Sequence, residues 1–231
     1  MVSQVDLPSI KSIISDTSVG HAWSIRMLVL SCMCILPFLR RGSASLAGAA
    51  IALGSLAWTG HGAAGEGLAG WIQLFADIVH LWAAGAWLGA LAALLILIYR
   101  SFSHMSLDQL TILHRSLAAF SFMGSAIVSL IVLSGLVNGY MLVGPAHVAD
   151  LGDTLYGRLL IAKLALFCSM ISLAAVNRFR LTPSLAIAMN KGNCRAALAA
   201  LRNSLVLETG AAIVIMGLVA WLGTLAPPSA I

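Results

Sequence analysis

Asp77 and His80 stand three positions apart near the start of a long apolar run. On a helix that spacing puts a carboxylate and an imidazole on one face. A carboxylate beside an imidazole fixes its tautomer and raises its basicity as a metal ligand, although the same pair also makes sense as a satisfied buried hydrogen bond. Ionisable groups inside apolar segments mark functional sites by default, because lipid penalises them heavily. Three more histidines could join this pair. His61 sits in "WTGHGAAGEG", a glycine-rich turn that lets backbone approach a ligand closely, and the short link to Leu68 would bring it towards His80. Read alone, it is an interfacial loop histidine. His21 and His147 lie at similar depth, as do the thioethers of Met27 and Met141, although methionines at helical spacing usually pack. His104 and His114 fall in a basic loop and read as solvated.

The elements that must position these groups are apolar helices. Of 231 residues, 60% are hydrophobic and only 9% charged, against about 25% charged in a water-soluble domain, and the mean hydropathy is +0.98. The chain therefore reads as an all-α, polytopic transmembrane bundle in a lipid bilayer. Six stretches approach the ~20 residues a bilayer core requires: 23–39, 44–60, 68–99, 116–143, 157–176 and 206–225. The third and fourth are overlong and should tilt or project.

Basic residues set the orientation. Arg40, Arg41, Arg100, Arg115, Arg178, Arg180, Lys191, Arg195 and Arg202 all fall on one side of this six-span plan. The positive-inside rule makes that side cytoplasmic and places both termini outside, in the periplasm if the source is bacterial. The expected organisation is a periplasmic segment, 1–20, followed by a single transmembrane domain, 21–226. The net charge of +5 belongs to this pattern, so nucleic-acid binding is not expected. Cys32, Cys34, Cys168 and Cys194 lie within or on the cytoplasmic side of the spans, which argues against a disulfide framework. Cys32 and Cys34 point to different helix faces and form no simple chelate.

One phrase occurs twice. "DTSVGHAWSIRM" from Asp16 and "DTLYGRLLIAKL" from Asp153 align at a constant offset of 137, matching Asp, Thr and Gly and carrying a cation at Arg26 and Lys163. An Asp or Thr before a helix caps unpaired backbone N–H groups. A cation a turn and a half into a spanning helix must snorkel or find a partner. Its presence in both copies favours an interior position for Arg26 and Lys163. The echo predicts that spans 1 and 2 repeat as spans 5 and 6 in the same membrane direction, in a parallel four-helix repeat whose first pair is missing from this sequence.

"HLWAAGAWLGAL" (from His80), "SGLVNGYMLVG" (from Ser134), "DTLYGRLLIAKLAL" and "NRFRLTP" (from Asn177) together resemble the bacterial copper resistance protein D (CopD) family, in order and spacing, over nearly the whole chain. The resemblance implies a multi-pass inner-membrane protein of copper handling, with eight spans as the usual number and a periplasmic copper-binding partner of the copper resistance C type. This sequence departs from it by lacking the first pair of helices. Copper(I) prefers thioether and thiolate and accepts imidazole, whereas copper(II) favours nitrogen and oxygen. The outer groups His61, His80, His21, His147 and Met141, with Asp77 behind them, are compatible with either.

Three functions are compatible with these residues, and the resemblance implies the first. The first is copper transport and resistance through a periplasm-facing His/Met site. The second is a haem b electron carrier, since membrane bundles can ligate haem through paired histidines. The third is a metal-free structural subunit, for which Gly85/Gly89 and Gly135/Gly139 supply close-packing helix faces. No nucleophile-base arrangement or phosphate loop stands out, so no enzyme is expected.

Overall fold

The computed structural model describes residues 7–36, 42–59, 67–104 and 106–228, with no strand among them. The helices are α1 (Leu7–Asp16), α2 (Ser18–Ile35), α3 (Gly42–Gly54), α4 (Gly67–His104), α5 (Leu107–Val143), α6 (Leu155–Val176), α7 (Thr182–Asn190) and α8 (Arg195–Leu222). A 3-10 turn, Ser55–Thr59, extends α3, and a π turn, Asn177–Leu181, joins α6 to α7. The chain divides into two compact units. One comprises Met1–Ala83 with Ile131–Leu142 and the other Ala84–Leu130 with Val143–Ile231.

Among the described residues, five helical stretches are long and apolar enough to cross a membrane: Ser18–Ile35, Gly67–Phe102, Leu107–Val143, Leu155–Asn190 and Arg195–Leu222. The expected span at 44–60 differs. Its α-helix stops after 13 residues and five more follow as a 3-10 turn. The 3-10 geometry rises faster per residue, so the pair still extends about 30 Å, close to the hydrocarbon thickness. The α4 and α5 helices, at about 55 Å each, exceed that thickness as expected. Phe122 is 82% exposed and Leu68 78%. Helices apolar on every face, with such side chains turned outwards, are what a bilayer rather than water accommodates. This is a multi-pass membrane protein.

In the first unit α2 packs on α1, α3 and the 3-10 turn. The α3 helix gives way to the turn where Ser55 is claimed from outside its own helix. Arg26 donates from Nε to Ser55 Oγ (2.9 Å) and from a terminal nitrogen to Ser55 O (3.0 Å). Trp82 ties α4 to α3 by donating to Ala50 O at 2.9 Å.

In the second unit α6 packs along α8. Val143, Tyr156, Leu159 and Leu222 form a buried cluster at one end. Leu198, Leu201 and Leu205 continue the buried stripe of α8 at three- and four-residue spacing, and the next member is Glu208, 1% exposed. The π turn has a local cause. Pro183 has no N–H to offer the carbonyl four residues back, and the N–H of Thr182 reaches five residues back to Asn177 O.

Candidate functional site

Within the first unit, Asp77 and His80 both lie against α5. Asn138 donates from Nδ2 to Asp77 Oδ1 at 2.6 Å, and His80 Nδ1 lies 3.0 Å from Ser134 Oγ. The two cross-helix contacts stand one turn apart, as the antiparallel pairing of α4 with α5 requires. Gly135 lies beside the ring: a Cβ there would make ordinary contact with it, 3.5 Å from His80 Cε1. Gln73, buried at 8% exposure, continues the α4 stripe one turn before Asp77. Met141, half-buried, continues the Ser134 and Asn138 stripe of α5. Asp77 and His80 therefore share one polar seam with Ser134 and Asn138. The partners Ser134 and Asn138 escaped the sequence reading, although both stand inside the quoted "SGLVNGYMLVG".

The other proposed ligands are placed less closely. His21 is exposed, with Nε2 2.8 Å from Ser15 O. His147, in the second unit, is exposed with Nδ1 3.0 Å from Val143 O. Each ring thus has one nitrogen against a backbone carbonyl, an arrangement that orients metal-binding histidines. His61 lies outside the described residues. Among the described residues no three His, Cys, Asp or Glu side chains gather as a metal cluster, and none of the four cysteines is joined in a disulfide. Arg26 is half-buried and bonded to Ser55, and Lys163 is half-buried on α6.

The echoed phrase has one local geometry in both places. Thr17 and Thr154 are extended N-caps whose hydroxyl oxygens accept from Gly20 N and Gly157 N, each at 3.0 Å. His21 Nε2 and Arg158 Nε each contact a carbonyl six residues earlier, at 2.8 Å. A Cβ on Gly20 would collide with the backbone of Ile13 and Ile14, and one on Gly157 with that of Leu151, the counterpart of Ile14 at the offset of 137. Asp16 is not the cap. Hydroxyl donors from Ser15 and Ser12, each at 2.9 Å, hold its carboxyl below the usual carboxylate range.

The second unit contains a polar site that sequence reasoning passed over. Asn177, on the π turn, donates to Glu208 Oε1 across the α6 and α8 interface. Both line a cavity of about 300 Å³ with Trp87, Phe120, Ser125 and Arg178. Trp87 Nε1 and Asn177 Oδ1 are buried with no hydrogen-bond partner. Arg178 is exposed, donates to Ser125 and lies 5.2 Å over the Phe179 ring. The signal was present: Glu208 is the one acidic residue in the last apolar segment.

The seam and the buried carboxylate both fall within stretches that carry the earlier resemblance, or pair with them, and comparison with known proteins decides the family. The family model "Copper resistance protein D" matches residues 114–222, and "Copper resistance protein D-like, N-terminal domain" matches 1–71. Copper resistance protein D of Pseudomonas syringae pv. tomato is 42% identical over 227 residues, spanning 96% of this chain and 73% of that protein. The chain belongs to the copper resistance protein D family. A second member of these comparisons, copper transport protein CutJ of Bacillus subtilis, is 29% identical over 178 residues, 73% of this chain and 32% of its own length. No solved structure matches the chain. The CopD model covers Asn177, Arg178, Glu208 and the α5 partners Ser134 and Asn138, while the N-terminal model covers Arg26, Ser55 and His61.

Proposed function

We propose that the chain moves or accepts copper in a bacterial inner membrane, for copper transport and resistance, through a periplasm-facing His/Met site, and that it performs no catalysis. The observation that carries the reading is the α4 and α5 seam. His80 is held by Ser134, Asp77 is held by Asn138, and Met141 follows on the same stripe. An oriented imidazole and a thioether suit copper(I), and imidazole with carboxylate suits copper(II). Asp77 supports the imidazole electrostatically one turn away. His61, outside the described residues, is the further ligand of this reading, with His21 and His147 as outer receiving groups and a periplasmic copper-binding protein of the copper resistance C type as donor or acceptor. In this orientation both termini are periplasmic, residues 1–20 form a periplasmic segment, and 21–226 act as one transmembrane domain.

The test is copper stoichiometry of detergent-purified protein with and without His80. The intact protein should retain copper, and His80→Ala should lose most of it, while His104→Ala keeps it. Equal retention in both variants, with both folded, would remove His80 from the site. A Soret band in place of copper would replace the reading with a haem protein.

A further inference from the structure

Glu208 has no part in the copper seam, yet it is the most demanding group in the second unit. At 1% exposure its carboxyl lies inside an apolar helix pair, where an unpaired charge is expensive and a single amide donor offsets only a fraction of that expense. Asn177 supplies that donor to Oε1. The cavity alongside has further polar demands. Trp87, 5% exposed, presents an indole N–H without a protein acceptor, and Asn177, 8% exposed, an amide oxygen without a donor. A cavity of about 300 Å³ has room for several waters, each of ~30 Å³, and these polar atoms are what such waters bond.

The lining also says what the carboxyl binds. Among the described residues it contains no thioether, thiolate or imidazole, so a soft copper ion finds no ligand there. One carboxylate, one amide oxygen and the three hydroxyls of Ser121, Ser125 and Thr182 fall short of the six to eight oxygens of a hard divalent cation. The charged groups around Glu208 are few. Arg178, on the π turn, lines the cavity and faces outwards, while α4 and α5 line it through Trp87, Phe120 and Ser125 and add no charge. Arg202, on α8 itself, stacks 5.1 Å from the Phe102 ring. Lys163 is 14 residues before Asn177 on α6, about 20 Å along the helix.

We propose that Glu208 is a proton-exchange site, loaded through the cavity from its Arg178 end, whose proton is exchanged against copper movement. A hydronium ion gives its proton to a Glu208 carboxylate oxygen and leaves as water, and the reverse step returns it. No oxidant or reductant takes part. The coupling rests on the copper-transport reading, whereas proton binding does not.

Two measurements separate the parts. Infrared difference spectra of the purified protein between acidic and alkaline buffer should show a protonated-carboxyl C=O band that is lost in Glu208→Gln. In Trp87→Phe, which keeps the ring packing and deletes the orphan donor, the band should persist at a shifted frequency. No titrating band assignable to Glu208, with the variants folded by size-exclusion chromatography, overturns the site. In proteoliposomes an imposed pH gradient should change copper flux several-fold in the intact protein and leave it unchanged in Glu208→Gln. A titrating band with no copper flux at all would refute the transport reading and leave the proton site standing. A titrating band with copper flux indifferent to the gradient overturns the coupling.

Discussion

Asn138 and Asp77 are joined across α5 and α4 by a 2.6 Å hydrogen bond from amide to carboxyl. In lipid such a bond has no competing water, and its loss leaves a half-buried carboxyl with one donor fewer. Charge-assisted bonds of this kind contribute about 1.5–3 kcal/mol. A double-mutant cycle on Asp77→Ala and Asn138→Ala should therefore give a coupling energy of about 1–2 kcal/mol in detergent unfolding. Additive single effects would mean that the two side chains act independently.

Gly135 provides a graded probe of His80. A Cβ at that position meets Cε1 at ordinary contact distance, 3.5 Å, so Gly135→Ala should retain copper. A leucine must push the imidazole away from Ser134. Gly135→Leu is expected to lower copper retention about as far as His80→Ala, without the several-fold loss of folded protein that core overpacking brings elsewhere. Retention of copper by Gly135→Leu would place the ion away from this ring.

The orientation is testable without copper. Nine basic residues on one side of the spans predict that a reporter fused after Arg41 is cytoplasmic and one fused after Glu66 periplasmic. The reverse result would move the His80 seam to the opposite side of the membrane and end its role as a periplasmic site.

Apolar stretches were legible because each depends on composition within one segment. The spans at 68–99 and 116–143 reappear as α4 and α5, and 157–176 and 206–225 lie within or overlap α6 and α8. The shortening of α3 was not legible, because it depends on Arg26 claiming Ser55 from 29 residues away. Asp77 and His80 were readable as one face of one helix, but their partners Ser134 and Asn138 belong to another. Glu208 could have been found as an isolated carboxylate in an apolar run. Its partner could not, since a π turn, rather than regular α geometry, presents Asn177. The superposition of whole spans 1 and 2 on 5 and 6 remains a proposal, whereas the local caps are alike atom by atom.

Arg26 tests whether the internal cation needs its shape as well as its charge. Its fork makes two bonds to one residue, Nε to Ser55 Oγ and a terminal nitrogen to Ser55 O. A lysine keeps the charge and cannot reproduce the fork. Arg26→Lys should lower stability by about 1–2 kcal/mol, and Ser55→Ala by less, because the carbonyl contact survives. Equal stability of Arg26→Lys and the intact protein in detergent melting would reduce the contact to simple charge placement.

Gly20 and Gly157 test the echoed phrase directly. At both positions a Cβ would strike the preceding backbone, at Ile13 and Ile14 for Gly20 and at Leu151 for Gly157. A backbone cannot move aside as the end of a flexible side chain can, so alanine at either site must displace the incoming chain at a cost of about 1–3 kcal/mol. The neighbouring caps should respond more mildly. Thr17→Ala and Thr154→Ala each remove one acceptor for a helix N–H, at 3.0 Å in both copies, a loss of about 1 kcal/mol. Thermal unfolding of the four variants in one detergent should therefore show two matched pairs, with the glycine variants melting below the threonine ones. If Gly20→Ala melts like the intact protein while Gly157→Ala does not, the two phrases share letters without sharing a mechanical role, and the proposed repeat loses its clearest support.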